Sequence, residues 1–343
     1  MKEYSYLNRI KENKNKQNNY FKYDSNKCKS NFFLFSNIKI IIRLIYFPLF
    51  FFLLYLFLKK TNPINKRKET KIYFDKYETN IYNEIKEKLI KSNCSLMWNN
   101  QREFLNGIIR KFKPKKILEV GVSSGGSSII ILNAIKDIKN AHLYSLDLSD
   151  SKIIGSCIKK YFPVFLKQWS LYKGDIVARF IEKIGTNIDM AFIDSAHFEP
   201  GEILDFLMIL PFLREGAIVC FHDIGNQITK AGYNNSRKEW APYIIFNILR
   251  GKKYLPSGNN ILTHDIGAIK LEKNKYKYIH DYFRALGGQW QYFPKENHIN
   301  LIRKFFNKYY DNDCLIMFEE TISFNRKFVK NNPMKNLYNY NSD

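Results

Sequence analysis

The sequence predicts an α/β fold, a doubly wound and mostly parallel sheet with helices on both faces, preceded by a hydrophobic N-terminal segment. Three observations predict it. From residue 73 onward, short apolar runs alternate with longer stretches of three- and four-residue apolar spacing. The short runs are apolar almost throughout, the pattern of parallel strands buried on both faces. A Gly/Ser-rich turn, Gly121 to Ser128, lies between one such run and a helical stretch, where a parallel sheet opens onto a ligand crevice. A chain of 343 residues with 45% hydrophobic and 16% aromatic content can build one large domain plus extensions.

Taken in order, residues 1–37 are rich in Asn, Lys and Tyr without apolar periodicity, which predicts a basic, disordered tail. Residues 38–60 contain a nearly continuous apolar run, Ile40 to Leu58, broken by Arg43 and Pro48. A spanning helix needs about 20 such residues. Four consecutive large residues, Leu49 to Phe52, cover every side of a helix, so membrane contact is expected. Lysines flank both sides, which leaves a single span and an in-plane helix kinked at Pro48 both open. Residues 61–72 read as a basic linker. Residues 73–273 carry the globular pattern. Ile81–Ile90 and Gln101–Phe112 predict helices. Ile117–Val120 and His142–Leu146 predict strands, with the apolar stretch Ile129–Ile135 between them, and Ser170–Lys173 a short segment. Met190–Ile193 and Ala217–Phe221 are further strands, separated by a helix over Glu202–Leu213, and Ile266–Leu271 is a late strand. Residues 274–343 predict a helical extension, aromatic and basic, that covers the site or holds a dimer.

Charge narrows the partners. The net charge is +23, from 55 basic and 32 acidic residues. Residues 1–72 hold about 16 Lys and Arg against about 4 acids, a net of roughly +12. Anionic membrane lipids and nucleic acid are the acidic partners such an end attracts. No nucleic-acid recognition module is evident, so membrane lipids, through residues 40–58, are the expected partner. The five cysteines (Cys28, Cys94, Cys157, Cys220, Cys314) are scattered, with no CxxC pair. This predicts neither a zinc site nor a disulfide framework; Cys157 and Cys220 read as buried thiols of a reducing compartment.

The chemistry concentrates at predicted strand ends. In Lys116–Ser128, Gly121 permits a sharp turn and close backbone approach to a ligand, while Ser127 and Ser128 are placed to cap the next helix. A dinucleotide fingerprint would be GxGxxG, but Ser123 replaces the middle glycine. Glu119, two residues before the first glycine, suits a cationic ligand better than a diphosphate.

These residues resemble the first motif of the class I S-adenosylmethionine-dependent methyltransferases, a Rossmann-like fold, in Glu119, Gly121, Ser123, Gly126 and Ser127. The closer resemblance is to methyltransferase family 24, similar to the macrocin-O-methyltransferase and cephalosporin-hydroxylase-like proteins. It rests on Lys115–Gly121, Ala191–His197 and Leu213–Ile224 and covers roughly residues 95–272. The resemblance implies S-adenosylmethionine as cofactor, with Asp147 accepting the ribose hydroxyls and Asp175 near the adenine amino group. It implies O-methylation of a small molecule, a sugar or a lipid-linked glycan.

A hydroxyl acceptor needs a general base or a divalent metal to make it nucleophilic. His197, His222 and Asp194 are the catalytic candidates. Asp194 and Asp223 match acids that hold a metal in some relatives, and His222 stands where some of these carry a second acid. Magnesium or manganese is the expected ion. The loop Asn226–Tyr243, with Tyr233, Arg237, Lys238 and Trp240, is expected to grip the acceptor. The alternatives are an NAD-type oxidoreductase, a nucleic-acid methyltransferase and a non-catalytic Rossmann-like module at the membrane. The expected location is the membrane with the catalytic domain in the cytoplasm; the alternative is soluble and cytoplasmic. A homo-oligomer is left open.

Overall fold

A computed structural model describes residues 72–74, 79–225, 240–257 and 265–331. The chain divides into two units, Met1–Lys68 and Glu69–Asp343, and the described residues all belong to the second. The readings made for residues 1–37, for the hydrophobic segment 38–60 and for most of the linker therefore lie outside the described residues. Among the described residues no helix is long and apolar enough to cross a membrane.

Among the described residues the sheet has eight strands. In chain order they are β1 (Ile72–Phe74), β2 (Lys116–Val120), β3 (His142–Asp147), β4 (Trp169–Lys173), β5 (Ile188–Ile193), β6 (Leu213–His222), β7 (Gly251–Pro256) and β8 (Ile266–Leu271). Across the sheet they run β1-β7-β8-β6-β5-β2-β3-β4. Every neighbouring pair is parallel except those made by β8, which is antiparallel to both β6 and β7. The chain goes from β2 outward to β3 and β4, then returns to place β5 on the other side of β2. That reversal is the switch point where a doubly wound sheet opens its crevice, beyond the carboxyl ends of β2, β3 and β5.

Ten α-helices are described: α1 (Asn80–Lys91), α2 (Asn99–Phe112), α3 (Gly126–Ile135), α4 (Ser156–Tyr161), α5 (Val177–Ile184), α6 (Gly201–Ile209), α7 (Trp240–Ile248), α8 (Ile279–Arg284), α9 (Glu296–Tyr309) and α10 (Asn312–Asn331). The strands show why both sheet faces need cover. Leu118 and Val120 enter one core while Ile117 enters the other; Ala191 and Ile193 oppose Met190 and Phe192, and Val219 and Phe221 oppose Ile218 and Cys220. Successive side chains of a strand point to opposite faces, so an all-apolar strand must feed two cores. One core is closed by α1 to α4, through Tyr82, Phe104, Ile129 and Ile158. The other is closed by α5 to α10. Each large apolar side chain fully buried here contributes about 1.5–3 kcal/mol relative to exposure.

The helices after residue 274 share the second core with the sheet. Phe283 meets Phe306 edge-on at 5.2 Å, Phe306 meets Phe318 at 4.9 Å, and Tyr282 meets Phe206 of α6 at 5.7 Å. Three strands were not anticipated as strands. β4 covers what read only as a short segment, and β1 straddles the boundary between the stretch read as a linker and the globular pattern. β7 is broken in sequence by Lys252 and Lys253, yet Lys253 is buried and its Nζ donates to the Asn247 carbonyl, which returns the charge to a polar partner.

The cysteine reading is corrected. Cys94 and Cys157 are joined in a disulfide. Cys94 lies in the turn between α1 and α2, Cys157 in the first turn of α4, and both segments pack against the loop after β2, which brings together two residues remote in sequence. Among the described residues, Cys220 and Cys314 are buried free thiols.

Candidate functional site

The loop after β2 is built around contacts that only glycine permits. Gly121 has φ +87°, and a Cβ there would stand 1.8 Å from the Asp194 carbonyl oxygen. Its N–H donates to Leu146 O at 2.9 Å, and Asp194 N donates to Val120 O at 2.9 Å, so the ends of β2, β3 and β5 are stitched together there. A Cβ on Gly126 would stand 2.3 Å from the Cys94 carbonyl oxygen. Ser123, at φ 49°, also takes the left-handed conformation.

Glu119 lies in the interior of the fold. It is fully buried on β2, directly opposite Ser145 of β3. Its Oε1 accepts from Ser127 Oγ, and its Oε2 accepts from Ser128 Oγ and Ser145 Oγ, each at 2.6 Å. Trp169 Nε1 donates onward to Ser145 Oγ at 2.8 Å. Burial raises the Glu119 carboxyl to about 7, against the pull of the three hydroxyls. Ser127 and Ser128 are therefore not helix caps: Gly125 holds the cap position of α3 without a side-chain bond, and the two serines turn inward to the carboxylate.

Asp147, at the end of β3, organises the loop from the other side. Its Oδ2 accepts from Val122 N at 2.9 Å and Ser123 N at 3.1 Å, and its Oδ1 from Ser149 N at 2.9 Å. Asp175 follows β4. It accepts from Ile176 N at 2.8 Å and from Arg179 Nε at 2.9 Å, with His298 Nε2 of α9 at 3.8 Å. Burial works against the charged carboxyl, but these donors hold it below its ordinary value. Asp175 thus supports the start of α5.

The second half of the site lies at the ends of β5 and β6. Asp194 and the turn 195–198 follow β5; His222 closes β6 and Asp223 follows it with φ 57°. His197 has φ 61°, an uncommon conformation for a non-glycine residue, of the kind that collects at functional sites. His197 Nδ1 lies 2.9 Å from Asp223 Oδ2, 3.8 Å from Asp194 Oδ1 and 3.9 Å from Glu202 Oε1. His222 Nδ1 lies 3.1 Å from Asp223 Oδ1 and 3.4 Å from Asp194 Oδ1. Those distances give charge attraction without hydrogen-bond alignment, and neither buried ring nitrogen of His222 has a hydrogen-bond partner.

Burial opposes charge on both imidazoles, yet the carboxylates overcome it. Asp223, Asp194 and Glu202 raise His197 to about 9, and Asp194 and Asp223 raise His222 well above its usual value. Burial would raise Asp223, but the two imidazoles hold it far below the ordinary carboxylate range.

Two acids of α6 that the sequence did not single out support the turn. Glu202, buried, accepts the His197 N–H, and Asp205 accepts from Ser195 Oγ at 2.7 Å. Burial raises both, Glu202 to about 7 and Asp205 to about 6. Their only trace in sequence is that they interrupt an otherwise apolar helix. The loop 226–239 lies outside the described residues; Trp240 opens α7, partly exposed.

Strand order, glycine turn and the acid-bearing strand ends are those of a Rossmann-like, doubly wound domain. Residues 118–224 match a family described as a methyltransferase domain, the family 24 whose motifs the sequence shows. That match lies within the doubly wound sheet and supports a methyltransferase domain there. No curated protein matches the chain. It is similar to the O-methyltransferase from Bacillus cereus in complex with SAH, at 13% identity over 55% of this chain and 90% of that one, with a TM-score of 0.40. It is also similar to the O-methyltransferase TomG from Streptomyces achromogenes in complex with SAM, at 16% identity over 57% and 91%, TM-score 0.42. A third similarity is to the SAH-bound methyltransferase PaMTH1 of Podospora anserina, at 17% identity over 58% and 90%, TM-score 0.42.

Proposed function

We propose that this domain transfers a methyl group from S-adenosylmethionine to a hydroxyl of a small molecule or glycan, assisted by a divalent cation held by Asp194, His197 and Asp223. The observation that carries the reading is the convergence of those three side chains, whose ligand atoms lie within 4.8 Å of one another beside the switch point.

The residues present fit both groups. Residues 117–135, which build the loop, contain no Lys or Arg. A pyrophosphate would find no basic side chain in that stretch, whereas a sulfonium cation would find Asp147 and Asp194 at the flanking strand ends. Asp147, already oriented by the Val122 and Ser123 amides, would take the ribose hydroxyls, and the backbone from Gly121 to Ser123 would lie along the ligand. Asp175 would sit toward the adenine. Glu119 acts from behind, fixing Ser127 and Ser128 and through them the start of α3. When bound, the cofactor supplies an electrophilic methyl group.

The orphaned nitrogens of His222 and the buried, unpartnered Oε2 of Glu202 mark the β5–β6 end as a place for a further ligand. Oxygen donors with one imidazole suit magnesium or manganese. A bound cation lowers the pKa of an acceptor hydroxyl. Glu202 and Asp205 hold the turn that aims His197, and His222 lines the wall behind Asp194 and Asp223. The apolar run 40–58 would keep the domain at a membrane, which vesicle flotation of the full chain against a chain lacking residues 1–60 would test.

The main test is calorimetric titration of S-adenosylmethionine into the full chain, with NADH as control ligand, repeated with Asp147→Ala. Micromolar binding of S-adenosylmethionine that the substitution removes is expected. A folded chain that binds NADH instead would overturn the reading. Manganese titration of wild type and Asp223→Asn tests the cation separately, and binding unchanged by the substitution would remove the cation from the proposal.

A further inference from the structure

Among the described residues, a second group of metal-ligating side chains gathers away from the sheet end: His280, Asp311 and Cys314, with ligand atoms within 4.8 Å of one another. His280 stands in the first turn of α8. Asp311 immediately precedes α10, and Cys314 lies in its first turn. The two elements pack together at the edge of the core closed by α5 to α10.

Local structure sets the three donors. Asp311 Oδ1 accepts the Cys314 N–H at 2.9 Å, the bond of a side chain capping a helix start. That bond fixes Asp311 against Cys314 and leaves Oδ2 toward His280, whose Nε2 is 3.7 Å away. Nε2 is itself buried and makes no hydrogen bond, although the ring is half exposed. A buried imidazole nitrogen without a bond, facing a carboxylate and beside a buried thiol, is an arrangement that ordinary packing leaves unsatisfied. A tetrahedral zinc ion, with bonds of about 2.0–2.3 Å, needs ligand atoms roughly 3.3–3.8 Å apart. The histidine and aspartate already meet that spacing, and small side-chain rotations would bring the sulfur to it. Asp311 is exposed, which leaves a route for entry and a fourth position for water.

We propose that His280, Asp311 and Cys314 form a second metal site, specific for a thiophilic divalent cation of the zinc class, which ties α8 to the start of α10. The donor set separates it from the β5–β6 end, where oxygen and nitrogen donors gather without sulfur. Thiolate and imidazole favour zinc over magnesium. Cysteine binds such an ion as its thiolate, so the ion takes the place of the thiol proton, which leaves to solvent as the metal–sulfur bond forms.

The test uses cobalt(II) as probe on the full chain. One equivalent should produce a thiolate-to-cobalt charge-transfer absorption in the near ultraviolet, displaced by zinc, with one proton released per ion. Cys314→Ser should abolish the band. His280→Ala, at a half-exposed position the fold tolerates, should weaken cobalt binding at least tenfold. Asp223→Asn should leave the band unchanged, which separates this site from the one at the sheet end. Absence of the band in wild type, or a band that survives Cys314→Ser, would overturn the proposal.

Discussion

The ends of β2 and β3 and the ends of β5 and β6 are adjacent, yet they treat buried charge in opposite ways. At Glu119 both carboxylate oxygens are met by serine hydroxyls, and one of those serines is itself held by Trp169. At Asp194, His197, His222 and Asp223, charges converge and the geometry stays incomplete, with His222 in contact but not hydrogen-bonded. A fully satisfied network rigidifies the backbone around it, whereas a partly satisfied one is costly and has room to respond to a ligand. The first half is a finished frame. The second is a set of charged groups in contact whose hydrogen bonds stay incomplete.

The sharpest way to break the frame is Gly121→Ala. The new Cβ would collide with the Asp194 carbonyl at a positive φ, and the strand ends would have to part. A loss of about 4 kcal/mol or more in urea unfolding is expected, together with loss of S-adenosylmethionine binding. A variant with wild-type stability would mean that the junction of the two halves is loose.

Glu119 gives the next largest effect. Its folded-state pKa, about 7, lies above the ordinary 4.5. The folded protein thus holds this proton more tightly, so its contribution is full below pH 4.5 and is lost as pH rises to 7. The integrated loss is on the order of 3 kcal/mol. Unfolding midpoints of wild type should decline through this window more steeply than those of Glu119→Gln. Glu202 and Asp205 slope the same way in both proteins, so parallel curves would show that Glu119 does not titrate there.

For the second half, manganese at a hundred times its dissociation constant should stabilise wild type by about 2.7 kcal/mol, read as a rise in melting temperature. Asp223→Asn should lose that rise. The smallest effect belongs to Arg179→Ala, which removes an exposed partner of Asp175. About 0.3–0.5 kcal/mol of stability should go. A larger change in cofactor affinity than in stability would place Asp175 at the ligand.

Much of this was legible in the sequence, and the limits have physical causes. All-apolar strands announced the parallel sheet because burial on two faces leaves no room for alternation. The acids and histidines at strand ends were legible because a polar residue closing an apolar run must lie at the sheet's edge. Ser127 and Ser128 misled: a serine before a helix usually caps it, and the competing partner, Glu119, becomes visible only when β2 and α3 are packed. Glu202 and Asp205 were missed because single acids on a helix read as solvated. The pairing of Cys94 with Cys157, like the gathering of His280 with Cys314, depends on distances in space that sequence spacing does not encode.

The disulfide has a topological consequence. Bonded at Cys94 and Cys157, the backbone from one to the other forms a covalent ring. α2, β2, the glycine turn, α3 and β3 all lie within it, as do Glu119 and Asp147. Asp194, His197, His222 and Asp223 lie outside, on the open part of the chain. A single protease cut inside the ring leaves one molecule of unchanged connectivity until the bond is reduced; a cut outside it separates two fragments at once. Gels of a nicked protein, run with and without reductant, would therefore sort cleavage sites between the two halves.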